Sequence, residues 1–240
     1  MASIKQAVIL CAGLGTRLRP LTDTLPKPMI PFLDKPLLEW NIEKFKKHGV
    51  REFFINLFYL PDVIRDYFGD GAKWGVKINY FQEKKILGTA GGVKNFASKL
   101  NQNFFLIYGD ILSLVDYSKM AGRFSEYSDA IGMQIMQRTD NYVDADVAEL
   151  AKDGSFTKIH PKPHSEKYSN AYRMKGVFIL SKEILDYIPV DTFYEIGKQL
   201  LPNVVSAGKR FYSYECADYT KGIDTMDKYR EVEEYLRKSI

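Results

Sequence analysis

Gln6-Ala-Val-Ile-Leu10-Cys-Ala-Gly13-Leu-Gly15-Thr16-Arg17-Leu-Arg19-Pro20-Leu-Thr22, followed shortly by Pro26-Lys27-Pro28, decides how the rest of the chain is read. The apolar run from Ala7 to Cys11 has the length and β-branched content of a buried strand, and it breaks at once into a loop with two glycines. Backbone N–H groups can line such a loop, because glycine has no side chain to block close approach and tolerates positive φ. The loop is a candidate phosphate cradle, and Arg17 and Lys27 bring two cations to it. A dinucleotide fingerprint would need a third glycine where Leu18 stands, and a Walker-type loop would need Gly-Lys-Ser/Thr where Gly15-Thr16-Arg17 stands. Two isolated glycines would equally make a tight turn with a solvated arginine. The joined pattern Gly-x-Gly-Thr-Arg-x-x-Pro-x-Thr with Pro-Lys-Pro is much longer and points to function.

The 240 residues suffice for one sizeable core, so a single domain over 1–240 is expected. Hydrophobic content of 45% and charged content of 27% are those of an ordinary soluble domain. A net charge of +4, from 34 basic and 30 acidic residues, indicates neither a nucleic-acid nor a membrane partner. Cys11 and Cys216 make no disulfide framework, and the three histidines join no cysteines at zinc spacing. Residues 7–12 are too short, and lack the cationic lead, for a signal peptide; no apolar run reaches membrane-spanning length. A cytoplasmic location is expected.

Working outward, Lys35-Pro36 opens a helix in which Leu38, Ile42 and Phe45 recur at helical spacing until Gly49. Strands at 52–59, 76–81 and 104–108 alternate with helices at 61–68 and 90–100. That alternation predicts an α/β fold, a mostly parallel mixed sheet with helices on both faces, whose ligands sit beyond the carboxyl ends of the strands. In the second half, strands at 147–150 and 155–159 flank Lys152-Asp153-Gly154, a hairpin signal, with further strands at 130–136, 174–180 and 210–215. These read as antiparallel insertions within the same domain. Helices are predicted at 182–187, at 193–205 and after the N-cap Thr225, where Met226, Tyr229, Val232 and Leu236 form an apolar stripe suited to core packing.

Tyr108-Gly109-Asp110 ends an apolar strand on a carboxylate beside the same crevice as the glycine loop, where a hard oxygen ligand suits Mg²⁺. A second carboxylate, Asp224, stands in Gly222-Ile223-Asp224-Thr225 before the last helix. Taken singly, Asp110 serves equally as a turn residue and Asp224 as a helix cap. Glu83-Lys-Lys-Ile-Leu-Gly88-Thr89-Ala90-Gly91-Gly92 is a second glycine cluster, where a planar ring could lie against the backbone and Glu83 could accept a hydrogen bond from a base. Lys162 reads as a loop cation, whereas Lys175 interrupts an apolar strand.

In this order the opening motif, Gly88-Thr89-Ala90-Gly91, Tyr108-Gly109-Asp110 and Asp224 resemble the sugar-1-phosphate nucleotidylyltransferases over nearly the whole chain, most closely through about residue 110. The resemblance implies a Rossmann-like, glycosyltransferase-A-type fold and the reaction NTP + sugar 1-phosphate → NDP-sugar + pyrophosphate. It implies a nucleotide-binding half over 1–125 and an acceptor-binding half with the terminal helix over 126–240. Carried over, Leu10, Ala12, Gly13, Gly15 and Thr16 would line the nucleotide and its phosphates, and Glu83, Gly88 and Thr89 fall where the family contacts the nucleotide. Arg17 would hold the β/γ-phosphates, Lys27 would bridge the α-phosphate and the incoming phosphate, and Asp110 with Asp224 would bind Mg²⁺.

Lys162 matches the lysine of the family's Glu-Lys-Pro, and Lys175 joins it at the acceptor end. There the chain departs from the family. Pro161 replaces the glutamate, Ala145-Asp146 replaces Tyr-Gly, and Met174-Lys175-Gly176 replaces Asn-Ala-Gly. The form Gly222-Ile223-Asp224-Thr225 resembles glucose-1-phosphate and phosphocholine cytidylyltransferases, so a phosphocholine-type acceptor is an alternative; a non-catalytic sugar-nucleotide sensor is another. The base stays open, and the apolar terminal helix is compatible with a homo-oligomer.

Overall fold

The computed structural model describes residues 4–138, 145–164, 168 and 172–239. In chain order these form β1 (Gln6–Cys11), a two-residue hairpin of β2 (Pro31–Phe32) and β3 (Lys35–Pro36), α1 (Leu37–Lys47), β4 (Glu52–Leu57), α2 (Pro61–Phe68), β5 (Lys77–Gln82), α3 (Gly88–Lys94), β6 (Asn103–Tyr108), β7 (Ile111–Ser113) and α4 (Tyr117–Phe124). Then follow β8 (Ala130–Arg138), β9 (Val147–Leu150), β10 (Phe156–His160), β11 (Tyr172–Ser181), α5 (Leu201–Ser206), β12 (Arg210–Glu215), β13 (Thr220–Gly222) and α6 (Met226–Ser239).

β5, β4, β1 and β6 lie side by side and parallel, with Val8 of β1 in register between Phe54 and Leu106. Both faces of β1, β4 and β6 are covered, which is why these strands are mostly apolar, whereas the edge strand β5 is partly exposed. Ala7 and Ile9 face one core cluster with Phe45, Phe53, Phe105 and Tyr117, and Val8 faces the other with Phe54, Val93, Phe96 and Phe178. The first core is dense in aromatic rings, with Phe45 and Tyr117 stacked at 3.9 Å between centroids. β11 runs antiparallel to β6 and joins the two halves: β9 continues along the same edge, while β8 and then β12 extend the sheet from its other edge. The expected mixed sheet with antiparallel insertions is what forms.

Several elements differ from the sequence reading: the helix expected over 90–100 is regular only over Gly88–Lys94, that over 182–187 is a 3₁₀ helix, and the short strands β7 and β13 are additional. Pro36 stands just before the α1 helix, paired with Pro31, and not in its first turn. The helix expected over 193–205 is broken: Glu195 is extended, a π turn covers Ile196–Leu200, and α5 begins at Leu201. Here long-range hydrogen bonds override helical spacing, because Tyr194 N–H donates to the Leu87 carbonyl (2.9 Å) and its own carbonyl accepts from Ala90 and Gly91. α4, which the sequence reading omitted, is N-capped by Asp116, whose carboxylate accepts from the Lys119 N–H (3.0 Å).

That N–H bond, opposed by burial and helped by His48 and Lys119 nearby, holds the Asp116 carboxyl below its ordinary value of 3.8. Asp116→Ala is expected to cost about 0.5–2 kcal/mol at pH 7 by urea unfolding. Because the folded-state value is depressed, the stabilisation is present above the ordinary value and fades as pH falls through the lower one, so the gap between variant and parent should narrow as the pH is taken down through that lower value.

α6 buries Val232 and Leu236 in a third cluster with Leu18, Ile30, Phe32, Leu37, Leu112 and Ile223. The stripe packs within the chain, as expected, except for exposed Met226. Among the described residues no helix is long and apolar enough to cross a membrane.

Candidate active site

A cavity of about 280 Å³ opens at the carboxyl ends of β1, β4 and β6. Leu10, Ala12, Gly13, Gly88 and Thr89 line it, with Lys27 and Asp110 at one side. A side chain on Gly13 would meet nothing within 4 Å, so the backbone there is open to a ligand. Gly15 has φ +71°, and a Cβ on it would press on Lys27 Cγ and Thr22 at 3.1 Å. It lets the loop close over Lys27, with Thr22 Oγ1 donating to its carbonyl (2.8 Å). Thr16 starts the 3₁₀ turn Thr16–Leu18 that presents Arg17 outward.

The second glycine cluster does something other than offer a flat floor for a ring. Cβ atoms on Gly88 and Gly91 would strike the backbone of Tyr194 (2.7 Å) and Thr192 (2.6 Å), and one on Gly92 would strike Asn56 (2.6 Å). The glycines admit the 192–195 segment, which closes the cavity wall with Phe193 and Glu195. Glu83 is likewise displaced from its expected role. It is buried, with Oε1 accepting from Asn56 Nδ2 (2.7 Å) and Oε2 from the Leu87 N–H (2.9 Å). Burial raises its carboxyl against those two bonds, and its work is to hold the loop before Gly88. Asn56, which sequence reasoning missed, lines the cavity and ties Glu83 to the Cys11 N–H (2.8 Å). Its signal was a polar residue inside an apolar strand.

A larger cavity of about 680 Å³ adjoins the first and shares Tyr108 and Asp110 with it. Its wall carries Arg17, Lys162, Lys175 and Asp224. Asp110 and Asp224, remote in sequence, come together because β13 pairs with β7 and the Ile223 N–H donates to the Asp110 carbonyl (2.7 Å). Asp110 pairs with Lys27 at 3.1 Å; Asp224 pairs with Arg17 at 2.7 Å and Lys228 at 2.6 Å. Burial opposes ionisation of Asp224, but Lys228 and Arg17 outweigh it and hold the carboxyl below the usual range. Asp146, a departure from the family pattern, accepts from the Lys162 N–H (3.0 Å) through its side chain and from the Met174 N–H (3.0 Å) through its carbonyl. It therefore fixes the loop that carries Lys162.

Among the described residues no three His, Cys, Asp or Glu side chains gather as a metal cage. Two carboxylates on one wall, open to a ligand cavity, fit an ion that takes its other ligands from phosphates and water, as Mg²⁺ does. The two cavities share Asp110 and each carries cations, Lys27 in the first and Arg17, Lys162 and Lys175 in the second.

The family described as Nucleotidyl transferase matches residues 6–239. The chain belongs to that family. The chain is 33% identical over 245 residues to a UTP–glucose-1-phosphate uridylyltransferase of Synechocystis, covering 95% of this chain and 63% of that protein. It thus spans less than two thirds of that relative. It is 38% identical to a D-glycero-alpha-D-manno-heptose 1-phosphate guanylyltransferase of Campylobacter jejuni, over 75% of this chain and 78% of the relative. Among solved structures, HddC of Yersinia pseudotuberculosis superposes with a TM-score of 0.80 at 25% identity, covering 97% of this chain and all of that one. The family, fold and enzyme class expected from the opening motif are those of these proteins.

Proposed function

We propose that this nucleotidyltransferase moves a nucleoside monophosphate from an NTP to a sugar 1-phosphate, releasing pyrophosphate. The observation that carries this reading is the pair of adjoining cavities that share Tyr108 and Asp110. An oxygen of the acceptor phosphate attacks the α-phosphorus in line, the bond to the β-phosphate oxygen breaks, and pyrophosphate leaves. The acceptor phosphate is ionised near pH 7, so no general base is needed. The protein's contribution is positioning and neutralisation of charge.

Lys27, nearly buried in the wall of the first cavity and paired with the shared Asp110, is assigned to the α-phosphate and the incoming phosphate. Arg17 is more exposed, on the loop turned by Gly15 and Thr16, and is assigned to the leaving pyrophosphate. Leu10, Ala12, Gly13, Gly88 and Thr89 would cradle the nucleotide. Asp110 and Asp224 would hold Mg²⁺, which when bound supplies further neutralisation at the phosphates. Lys162, fixed by Asp146, and Lys175 would hold the acceptor.

The names of the relatives make uridine and guanosine triphosphates the first nucleotides to try. The test is pyrophosphate release from each NTP paired with a panel of sugar 1-phosphates and phosphocholine. Release with a sugar 1-phosphate supports the reading; release with phosphocholine alone transfers it to the cytidylyltransferase alternative. Binding without release from any pair favours a sensor. Lys162→Ala is expected to raise the acceptor KM about 10- to 100-fold, the worth of a charged hydrogen bond, with NTP KM little changed. An effect confined to the NTP would contradict the assignment.

A further inference from the structure

We propose that Lys175 anchors an oxyanion subsite in the acceptor cavity, so that the preferred acceptor carries a second anionic group, a carboxylate or a further phosphate, besides the phosphate that reacts. This rests on the larger cavity being the acceptor site.

Lys175 is half-buried in that cavity wall, and among the described residues no carboxylate forms an ion pair with its ammonium. The other cations of the site differ. Lys27 is matched by Asp110, Arg17 and Lys228 by Asp224, and Lys221 by Glu231 at 2.6 Å. The charges nearest Lys175 are mostly of its own sign: burial first, then Arg173, Lys221 and Lys228, hold its ammonium down to about 8, with Glu231 alone opposing. A desolvated cation among cations is costly until an anion arrives.

The residue is also held in place. The pairing of β11 with β8 slips between Met174 and Phe178, and bulges of this kind re-aim side chains. Buried Gln134 fixes the irregular stretch by donating to the Lys175 carbonyl (2.7 Å), and Gly176 is pressed against the Tyr108 ring. The reacting phosphate is already assigned two cations, Lys27 on the wall of the first cavity and Lys162 on that of the larger one, so it does not need this ammonium. Sugar hydroxyls can accept from this ammonium but carry no charge to offset it, so they leave a desolvated cation uncompensated. The same cations disfavour an acceptor ending in a quaternary ammonium.

The experiment compares glucose 1-phosphate, glucuronic acid 1-phosphate and glucose 1,6-bisphosphate as acceptors, by pyrophosphate release and, separately, by calorimetric binding. At least one of the two acidic acceptors is expected to show a kcat/KM tenfold or more above glucose 1-phosphate, and which one does so tells carboxylate from phosphate. In K175M that ratio should fall to about one, while K175R keeps most of it. K175Q repeats the measurement should K175M melt at a clearly lower temperature. Equal use of neutral and acidic acceptors overturns the proposal. So does an equal loss on all acceptors in K175M, which would assign Lys175 to the reacting phosphate. Turnover of none of them counts against the transferase reading instead. The subsite then stands or falls on binding: glucuronic acid 1-phosphate or the bisphosphate must bind more tightly than glucose 1-phosphate, and K175M must erase the difference.

Discussion

Asp110→Asn is expected to reduce turnover to background while the protein stays folded. The backbone at this position is fixed without the carboxylate: Gly109 N–H donates to the Leu10 carbonyl (2.8 Å), and the Asp110 carbonyl accepts from Ile223. Asparagine keeps the size of the side chain and loses its charge. That charge faces both cavities and matches Lys27, so its removal takes away the proposed ion ligand and the partner of the lysine. Pyrophosphate release in saturating NTP and acceptor reads the loss, and a thermal melt within a few degrees of the parent shows that the fold survives. Unchanged turnover would remove Asp110 from the site.

Lys27→Met should lower kcat by about 10²–10³, the usual cost of losing one preorganised electrostatic contact to a reacting group. Methionine preserves the aliphatic stem that packs beside Gly15, so the loop should keep its shape. If Lys27 and Asp110 act as a unit, the double variant will be little worse than Asp110→Asn alone. Additive losses would mean that the two groups serve separate steps.

The parts of the fold legible in the sequence are those fixed by local signals or by complete burial. The run from Ala7 to Cys11 has to be a central parallel strand because both its faces are covered. Pro61–Phe68 has a proline at its start and Gly69 at its end, so its limits were local information. α4 carried equally local information, Asp116 before Tyr117, Met120 and Phe124 at helical spacing, that went unread. The 193–205 stretch misled in the opposite way. Phe193 takes a helical place in the pattern yet is exposed at the cavity mouth, because the backbone around Tyr194 is committed to Leu87, Ala90 and Gly91. Nothing within the segment encodes that partner.

The site divides along the same line. Glycine and lysine positions on the opening loop could be read one by one. Glu83 could not, since a carboxylate that touches a ligand and one that braces the loop beneath it look alike until Asn56 is seen beside it. Lys175 stood out for the reason that Asn56 should have: each is a polar side chain in an otherwise apolar strand.

The strap from Thr192 to Glu195 bears on how this protein could be divided or rebuilt. Every residue expected to touch the nucleotide lies before position 125, yet that stretch alone lacks the backbone that docks on Leu87 to Gly91 and the Phe193 side of the pocket. A fragment cut between the halves would carry the whole nucleotide motif set with one wall missing. Grafting the first half onto a foreign acceptor module would therefore require carrying this strap along, since the first cavity is assembled from both halves of the chain.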